Sequence, residues 1–181
     1  MLSSPPATYR SIGFYEGFNL QRPCLYQDIS QLDISAYTHI YFSFGVLSSS
    51  YEVQIPNVTA TYEFNLFKQL QGVKRILSIG GWAFSTDPST YMIFREGVTA
   101  ANRLTMATNI ANFIKDNDLD GVNIDWEYPG VSAFTTVALA RLVFEIADEP
   151  SSSFCSRHRI FLASLRPAPT TVTTISPSLP Y

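Results

Sequence analysis

Long stretches of this chain are apolar on consecutive positions, and others repeat at helical spacing. Thr38-His39-Ile40-Tyr41-Phe42-Ser43-Phe44-Gly45 is bulky and nearly continuous, as expected of a strand covered on both faces. Lys74-Arg75-Ile76-Leu77-Ser78-Ile79-Gly80-Gly81 reads as a second buried strand, ending in a glycine pair. A shorter β-rich run, Ser11-Ile12-Gly13-Phe14-Tyr15, precedes both and is broken by Gly17 and Pro23. Apolar positions 62, 66, 67 and 70 predict a helix over Tyr62–Leu70. Asp87-Pro88 predicts a helix start, with Asp as N-cap and Pro at the first helical position. The clearest helix is Asn102–Asn117, with Leu104, Ala107, Ile110, Ala111 and Ile114 as its apolar stripe. Asp120-Gly121 then turns the chain into Val122-Asn123-Ile124-Asp125-Trp126-Glu127, and Tyr128-Pro129-Gly130 ends that strand.

Strands and helical segments alternate four times, which predicts a parallel α/β architecture. Four βα units fit either a small doubly wound sheet or half of a (β/α)8 barrel. There is no GxGxxG after a strand and no GxxxxGK[ST], so a nucleotide-binding sheet is disfavoured. Beyond Gly130 the pattern weakens. Phe134–Ile146 offers one more helix and Arg159–Leu165 one more short strand. From Ser151 to Tyr181 there is no Gly, Asp, Glu, Asn, Gln or Lys, and Ser, Thr and Pro supply 15 of the 31 residues. So biased a tail buries little surface and is expected to be low in order.

Composition narrows the partners. The chain has 181 residues, 46% hydrophobic and 15% charged, with a net charge of -3. It is therefore one domain or a piece of one, with enough apolar surface for a core. No apolar run reaches the ~18 residues of a membrane span, so no membrane partner is expected. No Lys/Arg cluster points to nucleic acid. An uncharged or weakly polar substrate suits this balance. Two cysteines, Cys24 and Cys155, are too few for a disulfide framework, and nothing suggests a metal or other cofactor. His39, inside an apolar run, reads as a hydrogen-bonded core histidine. The first residues show no signal peptide. Asn57-Val58-Thr59 is a single glycosylation sequon.

The chemistry concentrates in one segment. On a strand, Asn123, Asp125 and Glu127 share a face while Val122, Ile124 and Trp126 share the other. The apolar set suits burial under helices, which leaves two carboxylates in the sheet's other side or a barrel lumen. Burial plus a like charge raises the pKa of one of them. A carboxylic acid kept protonated beside an ionised partner is what a glycosidic leaving group needs. A simply solvated polar face is the competing reading. Trp126-Glu127 at the C-terminal end of a strand favours the first, because barrel active sites lie at that end.

Asp120-Gly121-Val122-Asn123-Ile124-Asp125-Trp126-Glu127 resembles the Asp-x-x-Asp-x-Asp-x-Glu signature of glycoside hydrolase family 18 chitinases. Ser78-Ile79-Gly80-Gly81 is similar to that family's Ser-x-Gly-Gly motif on the preceding strand. Gly13–Asn19 with Arg22-Pro23-Cys24, and Gly81-Trp82-Ala83-Phe84-Ser85, are similar to fungal, killer-toxin-like members. The resemblance covers about Ser11 to Pro129. It implies a (β/α)8 barrel acting on chitin or chito-oligosaccharide by substrate-assisted retention, an exception to the two-carboxylate scheme. It makes Glu127 the general acid and Asp125 the residue that orients the N-acetyl group and stabilises the oxazolinium. Asp120, out of phase with that face, takes a structural role. Asn123 stands where many members have Asp; it can hydrogen-bond Asp125 but carries no charge, so a changed pH profile is expected. Tyr15, Trp82 and Tyr128 become candidate sugar-binding residues, with ordinary aromatic packing the favoured reading for Trp82. Ser78, Gly80 and Gly81 are expected to allow close packing at the strand end. An extracellular location follows from the family.

The resemblance stops near Gly130, and the family's later binding residues are not recognisable. The expected organisation is therefore a lead-in over residues 1–10, the N-terminal half of a barrel over 11–130, an uncertain extra helix and strand over 131–165, and a disordered tail over 166–181. The favoured reading takes the chain as a fragment, or as the product of a misread exon boundary with a tail translated out of frame. The other takes Phe134–Leu165 as a divergent fourth helix and fifth strand. Function is left among an active chitinase-type glycosidase, an inactive chitin-binding relative and a non-functional truncated product.

Overall fold

The computed structural model describes residues 10–24, 26–129, 141, 142, 146 and 159–163, the last group for backbone only. Five strands run parallel in the order of the sequence: β1 (Ile12–Glu16), β2 (His39–Leu47), β4 (Lys74–Gly80), β5 (Gly121–Asp125) and β6 (Arg159–Ala163). The short β3 (Val53–Gln54) pairs antiparallel with the end of β2. Between strands lie α1 (Val58–Phe67), α2 (Gly81–Thr86), α3 (Tyr91–Gly97) and α4 (Arg103–Asp116). A parallel sheet with flanking helices is what the alternating pattern predicts.

The helices cover one face of the sheet. Tyr15, Ile40, Phe42, Leu77, Ile79, Val122, Ile124 and Trp126 point into a single apolar core. Phe42 packs on Phe64 and Phe67 of α1 at centroid distances of 5.3 and 5.4 Å, and Trp126 stacks on Phe94 of α3 at 5.5 Å. The other face carries Phe14, Tyr41, Ser43, Ile76, Ser78, Asn123 and Asp125, as the strand registers require. His39 is buried, with Nδ1 2.8 Å from the Thr38 hydroxyl.

Several elements differ from the sequence pattern. Helix α1 begins four residues early because Asn57 caps it, accepting from the Ala60 amide at 2.9 Å; Tyr62 is exposed while Ala60, Phe64 and Phe67 face the core. The sequon asparagine is thus an exposed helix cap. In α4, Leu104 is exposed and Met106 takes its place beside Ala107, Ile110, Ala111 and Ile114. Asp87 does not open a helix. It follows α2, and its carboxylate accepts from the Ser89 amide and hydroxyl at 2.8 and 2.5 Å; this local turn delays α3 to Tyr91. Past Gly130, where the sequence offers Arg159–Leu165 as one more short strand inside a tail read as mostly low in order, the strand β6 forms over Arg159–Ala163, in parallel register with β5 from Gly121↔Arg159 to Asp125↔Ala163. Residues 141, 142 and 146 are helical, and Leu142 and Ile146 are buried. The rest of the Phe134–Ile146 expectation, Cys155 and residues 166–181 lie outside the described residues. Cys24 is exposed. No helix among the described residues is long and apolar enough to cross a membrane.

Candidate active site

The site assembles where β4 and β5 end. The glycine pair makes this possible. Gly80 has φ 113° and Gly81 φ 83°, a region L side chains avoid, and this backbone turns β4 straight into α2. A Cβ on Gly80 would collide with the Asp125 carbonyl oxygen and stand 2.9 Å from Phe94, while one on Gly81 would stand 2.8 Å from the Phe44 ring. The two strand ends therefore approach more closely than any side chain allows.

A polar row crosses the face opposite the helices. Ser43, Ser78 and Asn123 are in register on β2, β4 and β5, and all three are buried. Asn123 Nδ2 donates to Ser78 Oγ at 2.8 Å. The amide thus serves Ser78, whereas the sequence allows it to reach Asp125, and Asn123 Oδ1 and Ser43 Oγ have no hydrogen-bond partner among the described residues. One step along the strand, Asp125 lies in register with Gly80 and Ala163. Burial, and then the charge of Glu127, push its carboxyl up to about 6. The sequence leaves open which carboxylate is raised; it is Asp125.

Strand pairing ends at Asp125, so other groups set the course of the next residues. The Glu127 amide donates to Ser85 Oγ on α2 at 2.9 Å. Trp126 is buried on the helix side, in the phase alternation predicts. Tyr128 has φ 54° and is 69% exposed. Its carbonyl accepts from Arg95 Nη2 of α3 at 3.2 Å.

Asp120 stands apart from this group, at the other end of β5. It accepts from Lys74 Nζ at 2.7 Å and from the Arg75 amide at 2.9 Å. Burial raises its pKa, but the Arg75 amide and the Lys74 and Arg75 cations outweigh it and hold the carboxyl below the usual range.

Two of the three aromatic candidates differ in burial from the reading favoured for them. Tyr15 is 4% exposed on the helix-facing side, and its hydroxyl donates to the Gln27 carbonyl at 2.8 Å. Burial, and then Glu63, push its phenol up. It is a core residue, away from the cleft where sequence reading puts it. Trp82, for which packing is the favoured reading, is 62% exposed at the start of α2. The aromatic residues on the site face of β1 and β2 are Phe14 and Tyr41, 4.9 Å apart, which sequence reasoning passes over. Their phase relative to Asn123 follows from register alone. Among the described residues no three metal-ligating side chains converge.

Comparisons with known proteins agree on one family. The family model described as "Glycosyl hydrolases family 18" matches residues 10–172. The "Probable chitinase LysM18" of Penicillium expansum is 83% identical over 133 residues, 72% of this chain and 9% of that protein. The "Secreted chitinase LysM12" of the same fungus is 57% identical over 68% of this chain and 8% of that protein. This chain thus spans less than a tenth of the length of either relative. Among solved structures, the family 18 chitinase from Cycas revoluta in complex with (GlcNAc)3 superposes with a TM-score of 0.68 at 20% identity, over 84% of this chain and 45% of that one. Human YKL-39, described as a pseudo-chitinase with retained chitooligosaccharide binding, gives 0.64 at 20% identity, over 85% and 43%. At that identity the two structures speak for the fold.

Proposed function

This chain belongs to glycosyl hydrolases family 18, and from that membership we propose that it cleaves β-1,4-linked N-acetylglucosamine polymers by substrate-assisted retention. The five parallel strands are read as part of a (β/α)8 barrel, with the site at the C-terminal strand ends. The observation that carries the proposal is the placing of Asp125 and Glu127 where β4 and β5 end, Asp125 in register with Gly80 and the Glu127 amide held by Ser85 Oγ at 2.9 Å.

Glu127, partly exposed and just past the strand, protonates the glycosidic oxygen as the bond to the anomeric carbon breaks. The substrate's own acetamido carbonyl oxygen attacks that carbon, so no enzyme carboxylate forms a covalent bond. Asp125, ionised once its proton has passed to Glu127 for delivery to the leaving oxygen, accepts the acetamido N–H, orients the group and offsets the positive charge of the oxazolinium. A water then opens the ring, giving its proton back to Glu127. Asn123 leaves Asp125 without a third carboxylate beside it on β5, so the neighbouring charge that adds to burial in raising the Asp125 carboxyl is that of Glu127. Trp82 and Tyr128, exposed near the strand ends, offer faces on which sugar rings stack. The named relative "Secreted chitinase LysM12" supports an extracellular place of action.

The test is hydrolysis of a fluorogenic N-acetylglucosamine trimer by the chain and by Glu127→Gln. Turnover lost in the variant, with trimer binding retained, is the expected result. Equal turnover in both removes Glu127 from the role. Binding without turnover in the unsubstituted chain replaces the hydrolase with a lectin-like function.

A further inference from the structure

Glu127 sits where the sheet no longer holds the chain. The β5 ladder ends at Asp125, and two residues further on Tyr128 adopts φ 54°, an uncommon conformation for a residue with a side chain. A catalytic carboxyl in such a place needs its main chain fixed from elsewhere. Two side chains do this, from the two helices that follow β4. Ser85 of α2, itself 4% exposed, accepts the Glu127 amide at 2.9 Å. Arg95 of α3 donates through Nη2 to the Tyr128 carbonyl at 3.2 Å and through Nη1 to the Tyr91 carbonyl of its own helix at 3.0 Å. Its guanidinium also lies over the Trp126 ring at 5.9 Å, and that ring is buried and stacked on Phe94.

We propose that Ser85 and Arg95 are positioning residues that clamp the main chain on either side of Glu127 and so set where its carboxyl meets the scissile bond. The inference rests on the hydrolase reading above. The two contacts hold the main chain from the amide of Glu127 to the carbonyl of Tyr128 and use main-chain groups only, so neither occupies the carboxyl. Loss of the Ser85 oxygen leaves the Glu127 amide without its partner and lets the acid drift. A displacement of about 1 Å at a reacting group costs on the order of 100-fold in rate. Loss of the Ser85 oxygen is expected to act on turnover more than on substrate binding.

The experiment compares Ser85→Ala, Ser85→Thr and Arg95→Ala with the unsubstituted chain in trimer hydrolysis, and follows amide hydrogen exchange by NMR. Ser85→Ala is expected to lower kcat about 10- to 100-fold with KM within about twofold. Ser85→Thr, which keeps the acceptor oxygen, restores kcat. Arg95→Ala, which touches no core hydroxyl, lowers kcat in the same manner. In Ser85→Ala the Glu127 amide exchanges faster while the Leu77 and Val122 amides do not. Unchanged kcat in Ser85→Ala, or a loss that Ser85→Thr shares, overturns the proposal. So does equal acceleration of the core amides, which makes Ser85 a stability residue only. If the unsubstituted chain and Glu127→Gln are both inert, the hydrolase reading fails and the positioning role falls with it. An active chain with an equally active Ser85→Ala isolates the failure to the clamp.

Discussion

Asp120 and Arg75 hold each other by main chain and side chain at once. The Asp120 carboxylate accepts the Arg75 amide at 2.9 Å, and the Asp120 amide donates to the Arg75 carbonyl at 2.8 Å. With Lys74 Nζ on the second carboxylate oxygen, the start of β4 is tied to the turn that begins β5. Asp120→Ala leaves the part-buried Arg75 amide without its acceptor and is expected to lower stability by about 1 kcal/mol in urea denaturation. The carboxyl's pKa is depressed, so its contribution is complete above the ordinary carboxylate range and is lost as pH falls below it. Urea midpoints in the variant that match the unsubstituted chain at neutral pH count against this tie.

Asp125 gives the opposite pH dependence. Its folded pKa of about 6 lies above the ordinary value of 3.8, so the folded chain binds the proton more tightly than the unfolded one. Its contribution is complete below pH 3.8 and is lost as pH rises to about 6. Asp125→Asn is expected to remove that decline. The check is the urea midpoint at several pH values between 3.5 and 7, with a slope unchanged in the variant as the contrary result.

Gly80→Ala is expected to be severe. The backbone at φ 113° costs an alanine about 1–3 kcal/mol, and the methyl group also meets the Asp125 carbonyl and the Phe94 ring. Thermal denaturation should show a large drop in midpoint, along with loss of trimer binding as the ends of β4 and β5 separate. A variant of ordinary stability would mean that the strand ends tolerate a wider gap.

Trp82 separates surface from core. At 62% exposure its removal should leave stability within about 0.5 kcal/mol. Trimer binding should weaken by about 0.5–1.5 kcal/mol, the range of an aromatic stacking contact. Calorimetric titration of Trp82→Ala measures both the affinity and its change. Intact affinity would place the sugar elsewhere.

The strands β2, β4 and β5 are legible in the sequence because parallel strands covered on both faces are apolar almost throughout. The same property hides their phase. Phe14 and Tyr15 are both aromatic, and only the register Phe14↔Tyr41 and Tyr15↔Phe42 decides that Tyr15 enters the core while Phe14 faces the site. In β5 the polar residues Asn123 and Asp125 mark one face, and there the alternation reads correctly. Helix α2 is missed because Gly80 and Gly81 read as a strand's end, whereas their positive φ values launch a helix within the same residues. The contacts around Glu127 are illegible for another reason. Ser85 lies 42 residues before Glu127, and Arg95 lies 33 before Tyr128, and no local pattern links them.

That direction along the chain bears on how the site is made. Four of the residues that hold the Glu127 segment are synthesised before it: Gly80 beside Asp125, Ser85 on the amide, Phe94 under Trp126 and Arg95 on the Tyr128 carbonyl. The sheet, too, adds its parallel strands in sequence order, each beside the one before. A chain leaving the ribosome N-terminus first therefore has β4, α2 and α3 synthesised before Glu127 emerges to take its place against them.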